Sequence, residues 1–165
     1  MTTAIEYALM AGNSYHTSRD EINWFPVPQG WNRFFPVPDP ATPTFQATGG
    51  FEAVSFQNIA NPNEIVISYA GTNFGLTDPD LVADAGLATG LGSTQLLQAA
   101  EYYLEVKRQN PDATITLTGH SLGGGLAALV GVFFRVPAFT FDQAPFAKAA
   151  QDNSSWLNQW NLIRP

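Results

Sequence analysis

The residues with the clearest chemical potential are Gly119-His120-Ser121-Leu122-Gly123. A G-x-S-x-G pentapeptide can present its serine as an acyl nucleophile when a strand precedes it and a helix follows. The serine then sits at the tip of a strained turn, and the glycines two before and two after it avoid clashes with neighbouring backbone. Such a turn exposes Oγ at a helix N-terminus, where backbone N–H groups can meet a developing oxyanion. Leu122 would supply one of these groups. A second should come from the loop after an earlier strand, and Thr72 in Gly71-Thr72-Asn73 is placed to give it through its backbone N–H and its hydroxyl. The competing readings are a chance glycine-serine turn at Ser121 and an ordinary post-strand turn at Thr72.

A nucleophilic serine also needs a base to take its proton and a third group to orient that base. The sequence has two histidines, His16 and His120, and none after Ser121. His120 adjoins the serine and should project away from its Oγ. His16 precedes the core strands, and an isolated polar histidine near a helix end is ordinarily structural or solvated. Asp142, after the strand that follows the serine's helix, is one place for an acid, while Asp152 reads as a surface residue.

The elements that must position these residues follow from hydrophobic spacing. Residues 4–15 have helical apolar spacing, with Gly12-Asn13 as a stop. From 20 to 48 the chain is rich in proline and aromatics, including Phe25-Pro-Val-Pro and Phe35-Pro-Val-Pro, so no regular element is expected there. Its aromatics would be costly to leave in water, which predicts a segment laid across the surface of a core. Residues 51–58 alternate as a strand, Asn61-Pro62-Asn63 is a turn, and Glu64 to Ala70 is a buried-type strand.

Residues 71–92 read as a loop. A helix is expected from an N-cap at Ser93 to Gln109, with Leu97, Ala100 and Leu104 as its inner stripe and Leu96 and Tyr103 beside them. Then come a strand over 113–118, a sharp turn over 119–123, a small-residue helix from Leu122 to Phe134, and a strand over 138–141. Strand, helix, strand, helix, strand at these lengths predicts an α/β fold with a mostly parallel sheet and helices on both faces.

Composition narrows the classes. The chain has 165 residues, 45% apolar and 13% charged, enough for one domain with a core and unlike a disordered segment. Fourteen acidic residues against seven basic ones give a net charge of −7, the reverse of a phosphate-tracking protein, so no nucleic-acid partner is expected. No run of eighteen apolar residues marks a transmembrane segment, and Met1 to Met10 lacks the basic flank and apolar run of a signal peptide. The absence of cysteine removes disulfides, thiolate zinc sites and cysteine nucleophiles. Asp78, Asp80 and Asp84 lack the glycine and terminal glutamate of a calcium loop, and the glycine-rich stretches 86–92 and 119–125 fit neither nucleotide-binding pattern. No metal and no cofactor are expected. Asn153-Ser154-Ser155 fits a glycosylation sequon, which matters only in a eukaryotic source.

Four blocks carry a family resemblance: Ile65-Val-Ile-Ser-Tyr-Ala-Gly-Thr72, then Asp84, then Ile115 through Ser121 to Ala127, then Phe139-Thr-Phe-Asp-Gln-Ala-Pro145. Over residues 50–147 the chain resembles the class 3 lipases of the α/β-hydrolase fold, with the texture of the lipase-like domains at the N-terminus of bacterial RTX-type exoproteins. The resemblance implies Ser121 as acyl nucleophile, Thr72 and Leu122 as the oxyanion hole, Asp84 as a structural aspartate, and a small-molecule or lipid ester as substrate. Two positions depart from the family: Ala70 stands where an arginine is usual, and Leu81 near a usual tryptophan.

In that family the aspartate and histidine of the triad follow the nucleophile on later loops. Their absence after Ser121 implies that these 165 residues are the N-terminal part of a longer hydrolase domain. The remainder, in the same or a nicked chain, would then be the main partner, and the piece alone would be inactive or very weak. Exposed apolar residues expected near Trp160 and Ile163 agree with an incomplete sheet. The resemblance also implies an extracellular location by a signal-peptide-independent route, while composition alone suits the cytosol equally. A non-catalytic binding or structural module on the same fold is the alternative.

Overall fold

A computed structural model describes residues 2–15, 25–34, 51–71 and 91–143, with side chains from Gln95 onward in the last stretch. Helix α1, Ala4–Asn13, begins in a capping box: the Thr3 hydroxyl accepts from the Glu6 N–H, and the Glu6 carboxylate accepts from the Thr3 N–H at 2.7 Å. It ends at Asn13, within the expected Gly12-Asn13 stop. Ser14 closes it, its N–H donating to the Met10 carbonyl at 3.2 Å and its hydroxyl to the Ala11 carbonyl at 2.8 Å.

Strand β1, Trp31–Phe34, corrects the expectation that no regular element survives between 20 and 48. Pro28 and Pro36 bracket a window without proline, and its N–H groups can pair. It lies antiparallel to β2, Ala53–Asn58, from Trp31 opposite Asn58 to Phe34 opposite Ser55. Trp31 is buried, so part of the proline-rich segment belongs to the core rather than to its surface.

Strand β3, Glu64–Tyr69, forms a hairpin with β2. Asn58 shapes its turn: Oδ1 accepts from the N–H groups of Ala60 and Asn61 at 2.9 and 3.2 Å, and Nδ2 donates to Glu64 at 2.9 Å. Beyond β3 the pairing becomes parallel, to β4, Thr114–His120, and then β5, Ala138–Phe141. The five described strands stand in the order β1-β2-β3-β4-β5, a mixed sheet with two antiparallel and two parallel pairings. Strand β4 continues through Gly119 and His120, two residues past its expected end, so the turn contracts to Ser121.

Helix α2, Leu91–Gln109, precedes β4. Ser93, expected as its N-cap, lies inside it. Its buried face carries Leu96, Ala99, Ala100, Tyr102, Tyr103 and Val106, while Leu97 and Leu104 are half-buried. The aromatics decide the rotation: Tyr102 meets Tyr69 edge-on with ring centres 6.5 Å apart, and Tyr103 lies 4.3 Å from Phe134. Helix α3, Leu122–Phe134, has the bounds its small-residue pattern predicts.

Alternation along the strands divides the apolar residues between two faces. Ile65, Ile67, Tyr69, Ile115 and Leu117 pack under α2 and α3. Val54, Phe56 and Val66 meet Trp31 and, from α1, Tyr7 and Met10. Helices thus cover both faces, as expected of an α/β sheet.

Candidate functional site

Ser121 joins β4 to α3 with φ 56° and ψ −126°, a conformation that sterics deny to most L-residues. Its surroundings fix it there. The Ser121 N–H donates to the Phe141 carbonyl at 3.1 Å, and its own carbonyl accepts from the Gly125 N–H at 3.1 Å. A Cβ on Gly119 would come within 3.0 Å of the backbone of Gly123 and Gly124, and one on Gly123 within 3.0 Å of the backbone of Tyr69 and Ala70. The two flanking glycines therefore answer to close backbone approach. A serine at a helix N-cap ordinarily bonds the helix amides through its hydroxyl, but Ser121 makes no side-chain cap bond.

The parallel registers set three strand ends level. Tyr69 stands opposite Gly119 and His120 opposite Phe141, so continuing each register brings Gly71, Ser121 and Asp142 to one height. In open α/β sheets, ligands bind at this carboxyl edge. A Cβ built on Gly71 would lie 3.4 Å from the Leu122 nitrogen, which puts the end of β3 against the first turn of α3. The Leu122 N–H is among the four that no helix can satisfy internally, and it points out of the positive end of the helix dipole. A negative charge developing beside the serine would meet a favourable field.

Of the residues singled out by sequence, the structure brings Ser121, Leu122, His120 and Asp142 to this edge. Asp142 is exposed and has φ 45°, one of three non-glycine residues with positive φ among those described. His120 turns its Nδ1 toward the Tyr15 hydroxyl, 3.2 Å away. Thr72, Leu81, Asp84, His16 and Asp152 lie outside the described residues.

Tyr15 is the residue that sequence reasoning missed. It reads there as the last apolar position of a helix, yet its hydroxyl reaches both Gly71 and His120. Three buried tyrosines, Tyr69, Tyr102 and Tyr103, have raised pKa and belong to the core beneath the site. Burial first, then the neighbouring Tyr102 and Tyr103, pushes Tyr69 well above its ordinary value; burial pushes Tyr102 up to about 12. Among the described residues, no three His, Cys, Asp or Glu side chains gather as a metal site, and no helix is long and apolar enough to cross a membrane.

Comparison with known proteins finds lipase-like relatives. A protein of Passalora fulva named as the lipase ATG15 is 27% identical over 190 residues, covering 90% of this chain and 27% of its own length. The secreted mono- and diacylglycerol lipase 1 of Fusarium solani is 32% identical over 108 residues, covering 58% of this chain and 32% of that protein. The chain thus spans about a third or less of the length of these relatives. The crystal structure of the lipase from Rhizopus microsporus var. chinensis superimposes with a TM-score of 0.53 at 18% identity, over 85% of this chain and 56% of that one. That likeness carries the fold, the α/β-hydrolase arrangement that the class 3 lipase resemblance implies. The family model of the Tle-like phospholipase domain matches residues 6–154, from α1 through the serine turn and past β5. A match of that extent shows that the chain belongs to the Tle-like phospholipase domain family, a lipase-like family.

Proposed function

We propose that the protein is a serine hydrolase that cleaves carboxylic esters of lipids, with Ser121 as its acyl nucleophile. The observation that carries the reading is the Ser121 backbone, φ 56° and ψ −126°, between a parallel strand and a helix N-terminus. Strain of this kind costs about 1–3 kcal/mol and clusters where a fold must present a reacting group. In the reaction, Oγ bonds to the ester carbonyl carbon as its proton passes to a base, and the carbonyl electron pair moves onto oxygen. The N–H groups of Leu122 and Thr72 hold that oxyanion. Collapse breaks the carbon–oxygen bond to the alcohol, which leaves with the proton. Water then attacks the acyl-serine by the same route and frees the acid.

The acid and base belong, in this reading, to a segment C-terminal to Pro165, in the same or a nicked chain. Support comes from the absence of any histidine after Ser121 and from the engagement of His120 with Tyr15. The 165 residues alone should then be inactive or very weak. A glycerolipid or phospholipid ester is the substrate class, supported by the names of the family and of the Fusarium relative. An extracellular setting and an RTX-type exoprotein context complete the proposal, the first supported by that relative's being named as secreted. The missing histidine equally favours a second reading, a non-catalytic module on the same fold.

One experiment separates them. Intact mass is measured before and after a fluorophosphonate probe, on the full-length protein and its Ser121→Ala variant. A single adduct that the alanine variant lacks supports the hydrolase. Full-length protein that refuses the probe leaves the non-catalytic module.

A further inference from the structure

Three groups from two distant parts of the chain meet at one hydroxyl. Tyr15, just past the end of α1 and buried, accepts a hydrogen bond from the Gly71 N–H at 3.1 Å. It donates to the His120 carbonyl at 3.0 Å and stands 3.2 Å from His120 Nδ1. A phenol has one proton to give and two lone pairs to offer. The proton goes to the carbonyl, which can only accept, and one lone pair goes to the amide, which can only donate. The other lone pair serves Nδ1 if that nitrogen carries a hydrogen, so the three contacts are satisfied together by His120 protonated at Nδ1. An imidazole held this way braces the tyrosine and does not offer Nδ1 as a base.

The two backbone groups gripped by Tyr15 flank the serine turn. Gly71 immediately precedes Thr72, and His120 immediately precedes Ser121 and Leu122. The last register pair between β3 and β4 is Tyr69 with Gly119, so the hydroxyl ties the strands together just beyond their final pairing. A Cβ on Gly71 would lie 2.9 Å from the Tyr15 oxygen, which leaves no room for a side chain where the tie is made.

We infer that Tyr15 is a positioning residue: its hydroxyl fixes the end of β3 at Gly71 against the serine turn, whose Leu122 N–H would meet the oxyanion. The inference rests on Ser121 as nucleophile. Donors aimed at charge that exists only in the transition state act on kcat and leave substrate binding alone. A displacement near 1 Å can cost about a hundredfold in rate.

Tyr15→Phe in the full-length protein tests this, because it keeps the ring edge-on to His120, with centres 6.0 Å apart, and removes the hydroxyl. On a p-nitrophenyl ester, kcat should fall roughly ten- to a hundredfold with KM within about twofold, and fluorophosphonate labelling should slow in step. Wild-type kcat in a folded variant overturns the inference, and so does a loss confined to KM. If Tyr15→Phe does not fold, His120→Ala decides: it removes the brace and should lower kcat about threefold with KM unchanged, and an unchanged kcat overturns the inference. The readings fail separately. Wild-type protein that refuses the probe defeats the Ser121 assignment, whereas labelling that needs Ser121 but ignores Tyr15 defeats only the positioning role.

Discussion

The two halves of the sheet handle backbone geometry in different ways. In the antiparallel half, β1 to β3, the one described residue with positive φ is Gly30, at 86°, with nothing within 4 Å of a Cβ built there. The parallel half holds Ser121, Arg135 and Asp142, all three non-glycine positive-φ residues among those described. Arg135 has a structural account, since it ends α3 in the left-handed conformation with its N–H on the Gly131 carbonyl. Ser121 and Asp142 instead sit level at the carboxyl edge of adjacent strands. An ordinary turn meets its constraints with glycine or asparagine, whereas under the proposed function Ser121 is held where glycine would be cheaper, and the rest of the fold bears the cost.

The contrast is tested most severely at its glycines. Gly123→Ala drives a methyl into the backbone of Tyr69 and Ala70, a clash that no side-chain rotation relieves. It should cost upward of about 4 kcal/mol and abolish soluble expression or cooperative melting. Gly30→Ala meets open space and should cost about 1–2 kcal/mol from its positive φ alone. Equal losses from the two substitutions, measured by urea denaturation, would remove the distinction between packed and open turns.

A second prediction concerns the face of the sheet under α2. The Tyr102 hydroxyl lies 3.1 Å from the Ser55 hydroxyl on β2, and burial raises its pKa from 10.0 to about 12. The folded state thus favours the neutral phenol. Its contribution is whole below pH 10 and is lost as pH rises from 10 towards 12, by about 1.4 kcal/mol for each pH unit crossed. Urea midpoints from pH 9 to 12 should fall in wild type and fall less steeply in Tyr102→Phe. Parallel curves would mean that other groups control the alkaline edge.

Strain at Ser121 makes a prediction of opposite sign. Ser121→Gly relieves the backbone and should raise stability by about 1–3 kcal/mol while eliminating probe labelling. Ser121→Ala should eliminate labelling without that gain, because it keeps a Cβ at φ 56°. Thermal melts of the pair separate strain from chemistry, and a glycine variant no more stable than alanine would show that none is stored there.

How much of this the sequence announces depends on the range of the interactions involved. Helix α3 is legible to the residue because its small side chains and its strand-side turn are local signals, and the glycines around Ser121 mark the close approach the structure contains. Strand β1 is not, since four residues between prolines show no period long enough to register, and their pairing with β2 is supplied from elsewhere in the chain. The buried face of α2 differs from the expected one by about one position. Leu97 and Leu104 look like core in isolation, but Tyr69 and Phe134 provide rings for Tyr102 and Tyr103 and turn the helix toward them. Tyr15 is the extreme case. Its partner His120 lies 105 residues away, and no local pattern distinguishes such a tyrosine from helix-end packing.

The smallest expected effect falls on α1, which lies beneath both halves. Tyr7 stacks on Phe139 of β5 with ring centres 4.4 Å apart, and Trp31 of β1 donates to Glu6 at 3.1 Å. The Thr3 backbone and hydroxyl, together with Trp31, hold the Glu6 carboxyl below its ordinary value of 4.5. A depressed carboxylate contributes stability that is present above that value and lost as pH falls through the lower folded one. Thr3→Ala removes the hydroxyl half of the capping box and should cost about 1 kcal/mol near neutrality. The variant should also lose less than wild type between pH 5 and 3, because less of the carboxylate's advantage remains to be titrated. Since α1 leads directly into Tyr15, a loosened first turn tests how far its packing insulates the serine turn. The melting point should drop while the rate of probe labelling stays within about twofold, because the last turn of α1 is fixed independently by Ser14 on Ala11 and Met10. Labelling that slowed in proportion to stability would make the whole helix, and not the Tyr15 hydroxyl alone, the support of that edge.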